Sequence, residues 1–564
     1  MKVVIVGGVA GGASAAARMR RLDEKAEIVI LERGEYVSFA NCGLPYYVGG
    51  EIADRDALTL QTPQSFLRRF AIDVRVRNEV TAVLPDRKCV KVRDLDTGKE
   101  YEEAYDKLIL SPGARPAVPP FAREGSGVKE GVFSLRTIPD ADEIRSYMAR
   151  KSPRTAVVIG GGYIGMEMAE NLHRAGLKVT VVEMADHLIA PLDADMAADL
   201  HQYVRAQGIE LLLGTAVQDM RRTEQGLILT LSQGSLVCDM AVLSVGVSPD
   251  TAFLADSGIE RNARGAIVVN ENMMTSLNDV YAVGDAVTVR NFVTGEEAYL
   301  PLAGPANRQG RLAADHIAGL TGVYRGAQGT AVCRIFGMTV ATTGLSERQL
   351  AGRNAEKIYL WTLSHAGYYP GATNMNVKAL FDRETGRILG AQIVGREGVD
   401  KRIDVFAAAI RAGMTARELA ELDLSYAPPY SSAKDPVNVV GYMMNNVMDG
   451  LVRQYYWHDV AELQGRRDLT LLDVRTDYEY ARGAIAGTVH IPLDDLRNRL
   501  NELDPARPIY VNCQSGLRSY LACRILSQNG FECFNLAGGY RMYASVTGDL
   551  ALRGVTHPCG IPLK

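Results

Sequence analysis

The sequence predicts an α/β protein of several domains, and three observations carry that prediction. At 564 residues the chain outgrows a single hydrophobic core, and length alone implies roughly three or four domains. Two stretches, 2–32 and 155–183, repeat one order of parts: a short β-rich apolar run, a glycine loop, a helical stretch, a second strand and a terminal acid. A third stretch, 509–525, reads as strand, short loop and helix. Apolar residues make up 47% and charged residues 23%, the values of a chain that folds throughout.

Composition also excludes. The 62 basic and 66 acidic residues leave a net charge of -4, so nothing global points to nucleic acid or another polyanion. No uninterrupted apolar run approaches the roughly 20 residues that span a bilayer. The opening MKVVIVGGVAGG runs into a glycine loop where a leader would carry a cleavage site, so the expectation is a cytoplasmic chain with no membrane partner. Eight cysteines (42, 89, 238, 333, 513, 523, 533 and 559) are too sparse for a disulfide scaffold. None forms a CxxC pair, and no metal site is expected.

In the first unit, KVVIVG leads to GGVAGG, then to the Ala-rich ASAAARMRRL, then to the strand EIVILE ending at Glu32. Glycines at Gly7, Gly8 and Gly12 let backbone approach a pyrophosphate at a helix N-terminus, where free N–H groups and the dipole attract anions. Glu32, 25 residues after Gly7, is placed to hold a ribose hydroxyl. One departure stands out: the middle glycine position is Val9. The second unit, TAVVIGGGYIGMEMAENLHRAGLKVTVVE, is complete, with Gly160, Gly162, Gly165 and a terminal acid at Glu183. Two such units imply two bound dinucleotides and electron transfer between them.

Further on, TSLNDVYAVGDA (275–286) sets Gly284 and Asp285 directly after a short apolar strand. The order of these parts resembles the two-dinucleotide flavoprotein disulfide reductases. That resemblance implies FAD at the first unit, with Asp285 on the ribitol chain, and NADH or NADPH at the second. An acid at Glu183, where the extra phosphate of NADPH would sit, favours NADH.

Between the first unit and the next strand lies YVSFANCGLPYYVGG (36–50), with Cys42 at what reads as a helix start. A helix N-terminus is expected to lower the thiol's pKa, which makes Cys42 a nucleophile candidate. The segment resembles the active segment of the single-cysteine branch of the same superfamily. Position 47, where dithiol members carry a second Cys, is Tyr, so Cys42 must be oxidised as a mixed disulfide, a persulfide or a sulfenic acid. NADH peroxidases and oxidases carry a His in the glycine loop, and the matching residue here is Ala10. Ser14, Arg18 and Arg21 share one helix face and could grip phosphates. They resemble the coenzyme A site of coenzyme A-disulfide reductases, to which Ser38 and Asn41 also correspond.

Residues 326–445 carry two polar-aromatic clusters, HAGYYPG (365–371) and SYAPPYSSAKDPVN (425–438). The prolines of YAPPY prevent a regular helix or central strand and predict an ordered loop. By the same resemblance these segments come from a partner subunit, bring Tyr368 and Tyr426 over the thiol and Lys434 to coenzyme A, and imply a homodimer with composite active sites. Tyr369 and Tyr430 are the neighbouring alternatives.

The C-terminal PIYVNCQSGLRSYLACRILSQNGF places Cys513 at the start of a loop and Arg518 at its end. Successive backbone N–H groups, a helix N-terminus and an Arg would stabilise an anionic sulfur. With DVR (473–475) and HIP (490–492), the region resembles the rhodanese domain. Cys523 and Cys533 read as core.

The expectation is an α/β chain of two Rossmann-like domains, an FAD-binding domain (1–112 and 271–325) interrupted by an NAD(P)H-binding domain (113–270). An α+β dimerisation domain (326–445), a linker (446–456) and an α/β rhodanese domain (457–564) follow. The whole resembles coenzyme A-disulfide reductase–rhodanese fusions. It implies an enzyme that reduces coenzyme A persulfide, polysulfide or coenzyme A disulfide through Cys42, with Cys513 handling sulfane sulfur. The alternatives are an NADH oxidase or peroxidase, and a redox-sensing sulfur carrier without turnover.

Overall fold

A computed structural model describes residues 1–123 and 130–553, so Cys559 lies outside the described residues. By compactness the chain forms two units: Met1–Met184 with Thr215–Gly329, and Ala185–Gly214 with the described residues from Thr330 onward.

In the first unit, Lys2–Val6 is the centre of a parallel sheet in the order Val280–Ala282, Lys107–Leu110, Lys2–Val6, Glu27–Glu32, Asp73–Val76. Its central strands read as continuous apolar runs because both faces are covered. Ala15, Ala16 and Met19 of the helix Ala10–Leu22 fill one side, with Ala313 and Ala314 of the helix Ala303–Ile317. Those two helices approach so closely that a Cβ at Gly310 would lie 2.2 Å from the Gly11 carbonyl oxygen. Val280–Ala282 pairs with Lys107–Leu110 across a long insertion, which is the interruption the sequence predicts. Within that insertion Lys178–Val182, Thr155–Ile159, Met240–Leu243 and Val132–Ser134 form a second parallel array.

The second unit contains an antiparallel sheet in the order Ala331–Ile335, Met338–Gly344, Ile388–Gly395, Asn374–Asp382, Ala355–Leu363. Its C-terminal part is a parallel sheet in the order Gln454–Tyr455, Cys533–Leu536, Ile509–Asn512, Thr470–Asp473, Val489–His490. Gln454–Tyr455 falls in the stretch 446–456 read as a linker; its backbone instead completes a sheet edge.

The segment Ala185–Gly214 is compact with this second unit. The helix Ala194–Ala206 explains why. His201 meets the buried Asp549 at 2.8 Å, Arg205 donates to Asp549 at 2.6 Å, and Asp199 accepts from Ser545 at 2.5 Å. Nearby, Asp193, Asp195 and Glu347 gather around the ammonium of the fully buried Lys378, at 2.8, 2.9 and 2.5 Å. These carboxylates are spaced to chelate, but the lysine supplies their cation. No helix among the described residues is long and apolar enough to cross a membrane.

Candidate active sites

Each glycine loop is shaped by close backbone approach. Gly7 has φ +89°, and a Cβ there would lie 2.1 Å from the Ser111 carbonyl oxygen; at Gly12 it would lie 1.9 Å from the Gly7 oxygen. Gly8 is equally constrained, with a Cβ 2.4 Å from Val37. Glu32 accepts from the Gly8 and Gly34 N–H groups at 2.9 and 2.8 Å, which fixes its carboxylate beside the loop. No side chain caps the N-terminus of Ala10–Leu22 and no acid sits in its first turn, so its N–H groups are left for an anion.

The second loop repeats the design. A Cβ at Gly160 (φ +107°) would lie 2.3 Å from the Ser244 oxygen, and one at Gly165 1.9 Å from the Gly160 oxygen. A Cβ at Gly162 would meet nothing within 4 Å, leaving the face open for a pyrophosphate. Glu183 accepts from the Gly161 N–H at 2.5 Å. Asp285 follows the strand Val280–Ala282 and pairs with Arg136 at 3.0 Å, while Gly284 donates to Gln309 at 2.8 Å. These residues fit two dinucleotides.

Cys42 is exposed, and every other described cysteine is buried. It lies in the 3₁₀ turn Asn41–Gly43, ahead of the helix Leu44–Val48. The expected lowering of its pKa is not met: the thiol is pushed up, first by desolvation, then by the charge of Glu167, with Asp285 adding and Arg136 opposing. A helix of five residues has too little dipole to outweigh two nearby carboxylates. Glu167 itself is pushed up to about 7 by desolvation, against the Tyr46 hydroxyl, which donates to it at 3.2 Å. Sequence reasoning missed Glu167, since only folding brings it to the thiol.

The predicted coenzyme A residues divide. Ser14 donates to Asn307 at 2.5 Å and Arg18 is paired with Asp315 at 2.6 Å, so both are engaged within the chain; Arg21 is exposed. Ser38 adopts φ +50° and donates its N–H to the Gly8 carbonyl at 2.8 Å, which sets it beside the first loop. The Asn41 amide donates to the Arg136 carbonyl at 3.4 Å.

In the second unit, Tyr368 and Tyr426 meet hydroxyl to hydroxyl at 2.9 Å, both exposed, and Lys434 is exposed nearby in sequence. Tyr369 and Tyr430 are exposed as well. The proline loop is held from below. Buried Arg402 donates to the Tyr430 carbonyl, the Ser431 hydroxyl and Asp435 at 3.2, 3.2 and 3.1 Å, and Ala366 donates to the Ser431 carbonyl at 3.1 Å.

Cys513 follows the strand Ile509–Asn512 and is 0% exposed. Its sulfur accepts from the Gly516 N–H at 3.1 Å and from the Ser519 hydroxyl at 3.2 Å. Arg518 forms a two-pronged pair with Glu479 at 2.7 and 2.7 Å, which holds the Glu479 carboxyl down at about 2, and its charge also acts on the Cys513 sulfur. Ser519 was not foreseen; its place directly after the loop was the available signal. Cys523 and Cys533 are buried core, as expected.

Two dinucleotide cradles in one unit, with an open thiol among the residues that flank the first, are the equipment of a redox enzyme that carries electrons to sulfur. Comparison with known proteins gives the same class. Residues 1–310 match the pyridine nucleotide-disulphide oxidoreductases, 330–436 match the dimerisation domain of those enzymes, and 457–545 match the rhodanese-like domain. The coenzyme A disulfide reductase of Staphylococcus aureus (strain bovine RF122 / ET3-1) is 34% identical over 444 residues, which cover 78% of this chain and 99% of that protein. The reduced Bacillus anthracis protein CoADR-RHD superposes with a TM-score of 0.95 at 46% identity, over 98% of this chain and 99% of that one. A NAD-dependent persulfide reductase from A. fulgidus superposes at 0.89 with 37% identity, over 96% and 100%. The chain belongs to the pyridine nucleotide-disulphide oxidoreductase family, and its cofactors are FAD and NAD(P)H.

Proposed function

We propose that this chain reduces the sulfur–sulfur bond of coenzyme A persulfide, polysulfide or coenzyme A disulfide, with Cys42 as nucleophile and Cys513 as carrier of sulfane sulfur. The observation that carries the reading is the contrast in access: Cys42 alone among the described cysteines is exposed, in a segment with no second thiol, so its sulfur partner must come from the substrate. The Cys42 thiolate attacks one sulfur of the substrate, forms a Cys42–S–S bond and expels a thiolate. FAD and NAD(P)H, when bound, supply the electron pair that cleaves this bond. Arg136 favours the thiolate over the thiol, and protonation of Glu167 lifts the opposing charge.

Tyr368 and Tyr426, contributed by a second copy of the chain, would donate a proton to the departing thiolate, with Lys434 toward coenzyme A and Ser14, Arg18, Arg21, Ser38 and Asn41 on the first copy. Glu183 favours NADH. The names of the relatives support both a disulfide and a persulfide as acceptor. The free cysteines fit a reducing, cytoplasmic setting.

The test is intact mass of the purified chain before and after dithiothreitol, followed by NADH consumption with each acceptor. A reducible coenzyme A or sulfur adduct on Cys42, and turnover with sulfur acceptors, is expected. NADH consumption with oxygen or peroxide and with no sulfur acceptor would replace this reading by an oxidase.

A further inference from the structure

The charges around Cys513 discriminate between sulfur donors. Two guanidiniums belong to its loop, and the domain neutralises both. Arg475, whose Nη1 lies 3.5 Å from the Gln514 side chain, is buried and held by both oxygens of Asp473 at 2.7 to 3.0 Å. Arg518 is held by both oxygens of Glu479. Glu479 is itself locked in place. It is the third residue of the helix Asp477–Ala481 and accepts from the Thr476 N–H and hydroxyl, both at 3.0 Å, in a capping box. Arg541, whose backbone N–H closes on the Gln514 carbonyl at 3.0 Å, lays its guanidinium 3.8 Å from the centre of the Trp361 ring.

The Cys513 sulfur accepts from one N–H and one hydroxyl, and the guanidinium charge acting on it is that of Arg518, already paired with Glu479. The sequence neighbours of the neutralised pair are apolar and open: Tyr478 is 69% exposed, Leu517 65%, and Leu521, one turn further, 43%. Arg482 lies over the Tyr478 ring, 5.2 Å from its centre.

We infer that Glu479 sets the donor specificity of Cys513: by neutralising Arg518 it turns the loop from dianionic inorganic sulfur donors toward the persulfide of an organic thiol with an uncharged arm, seated on Tyr478 and Leu517. The inference rests on the reading of Cys513 as a sulfane-sulfur carrier. In the favoured reaction the Cys513 thiolate attacks the outer sulfur of R–S–SH, a Cys513–S–SH bond forms, and RS⁻ leaves. With thiosulfate the leaving group would be sulfite, and the incoming dianion would meet no uncompensated cation in the loop.

The test uses the full chain without NADH and follows sulfur on Cys513 by peptide mass spectrometry, with thiosulfate and with the persulfide of N-acetylcysteamine. The wild type is expected to load from the persulfide and at least about tenfold more slowly from thiosulfate. In Glu479→Gln the amide carbonyl still accepts from Thr476, so the capping box survives while Arg518 gains a free charge. Thiosulfate loading should then rise about tenfold, with persulfide loading within about twofold of wild type. Unchanged or slower thiosulfate loading in this variant, or equal loading of the wild type from both donors, overturns the inference. No sulfur on Cys513 from either donor refutes the carrier reading beneath it. Should the variant misfold, a salt series on the wild type decides: thiosulfate loading that is flat or rises with salt is expected, and a steep fall overturns the proposal.

Discussion

The two thiols of this chain are opposites. Cys42 is open to solvent, but desolvation and two carboxylates hold its thiol up. Cys513 is closed off, yet its sulfur already accepts two hydrogen bonds. The difference lies in the backbone. Cys513 starts a loop that curls back over its own sulfur before entering the twelve-residue helix Leu517–Gln528, and Gly516 at φ +100° makes that curl possible. Cys42 precedes a helix of five residues and gains no comparable nest of donors. One site is built for access, the other for stabilising sulfur charge. A chain that must both meet a bulky sulfur substrate and hold a transferred sulfur needs each once.

The sharpest division between them should come from serine substitution. Cys42→Ser is expected to lower NADH oxidation with every sulfur acceptor by about a thousandfold or more, because no neighbouring thiol can substitute. Cys513→Ser should slow only sulfane-sulfur donors and spare coenzyme A disulfide. NADH absorbance measures both, and substantial turnover by Cys42→Ser would end the assignment.

A smaller effect is expected at the closed site. Ser519→Ala removes one of two donors to the Cys513 sulfur, about 1.5 kcal/mol for a bond to a charged group, or roughly a tenfold slower sulfur uptake. Uptake within about twofold of wild type would leave the Gly516 N–H as sufficient.

The mildest effect concerns pH at the open site. Glu167 ionises near about 7, and its charge disfavours the Cys42 thiolate. In Glu167→Gln the pH midpoint for alkylation of Cys42 should move down; an upward shift would assign the dominant charge elsewhere. The linkage has a definite sign. A carboxyl raised from 4.5 to about 7 keeps its proton in the folded state while the unfolded chain has lost it. Wild type should therefore lose stability as pH rises through that window, and the Gln variant should not, as thermal unfolding would report.

Much of the machinery was legible because it is local. Gly12 packs on Gly7 and Gly165 on Gly160, five residues apart in each case, so the loops write their constraint into spacing. Tyr47, Ala10 and CQSGLR are equally short-range features. What was missed is mostly long-range, although Ser519 lies only six residues from Cys513. The carboxylate partner of Arg518 lies 39 residues away on another helix. His201 and Arg205 likewise find their partner, Asp549, far along the chain.

By itself, the sequence determined that this chain carries two dinucleotide loops, a single thiol at Cys42 and a rhodanese-like loop at Cys513, since glycine placement and residue spacing act over a few residues of backbone. Only the tertiary structure decided what surrounds each thiol. Desolvation and the charges of Glu167 and Asp285 hold the Cys42 thiol up, Glu479 pairs with Arg518 beside Cys513, and a carboxylate's partner is chosen by distance in space, which no local pattern records.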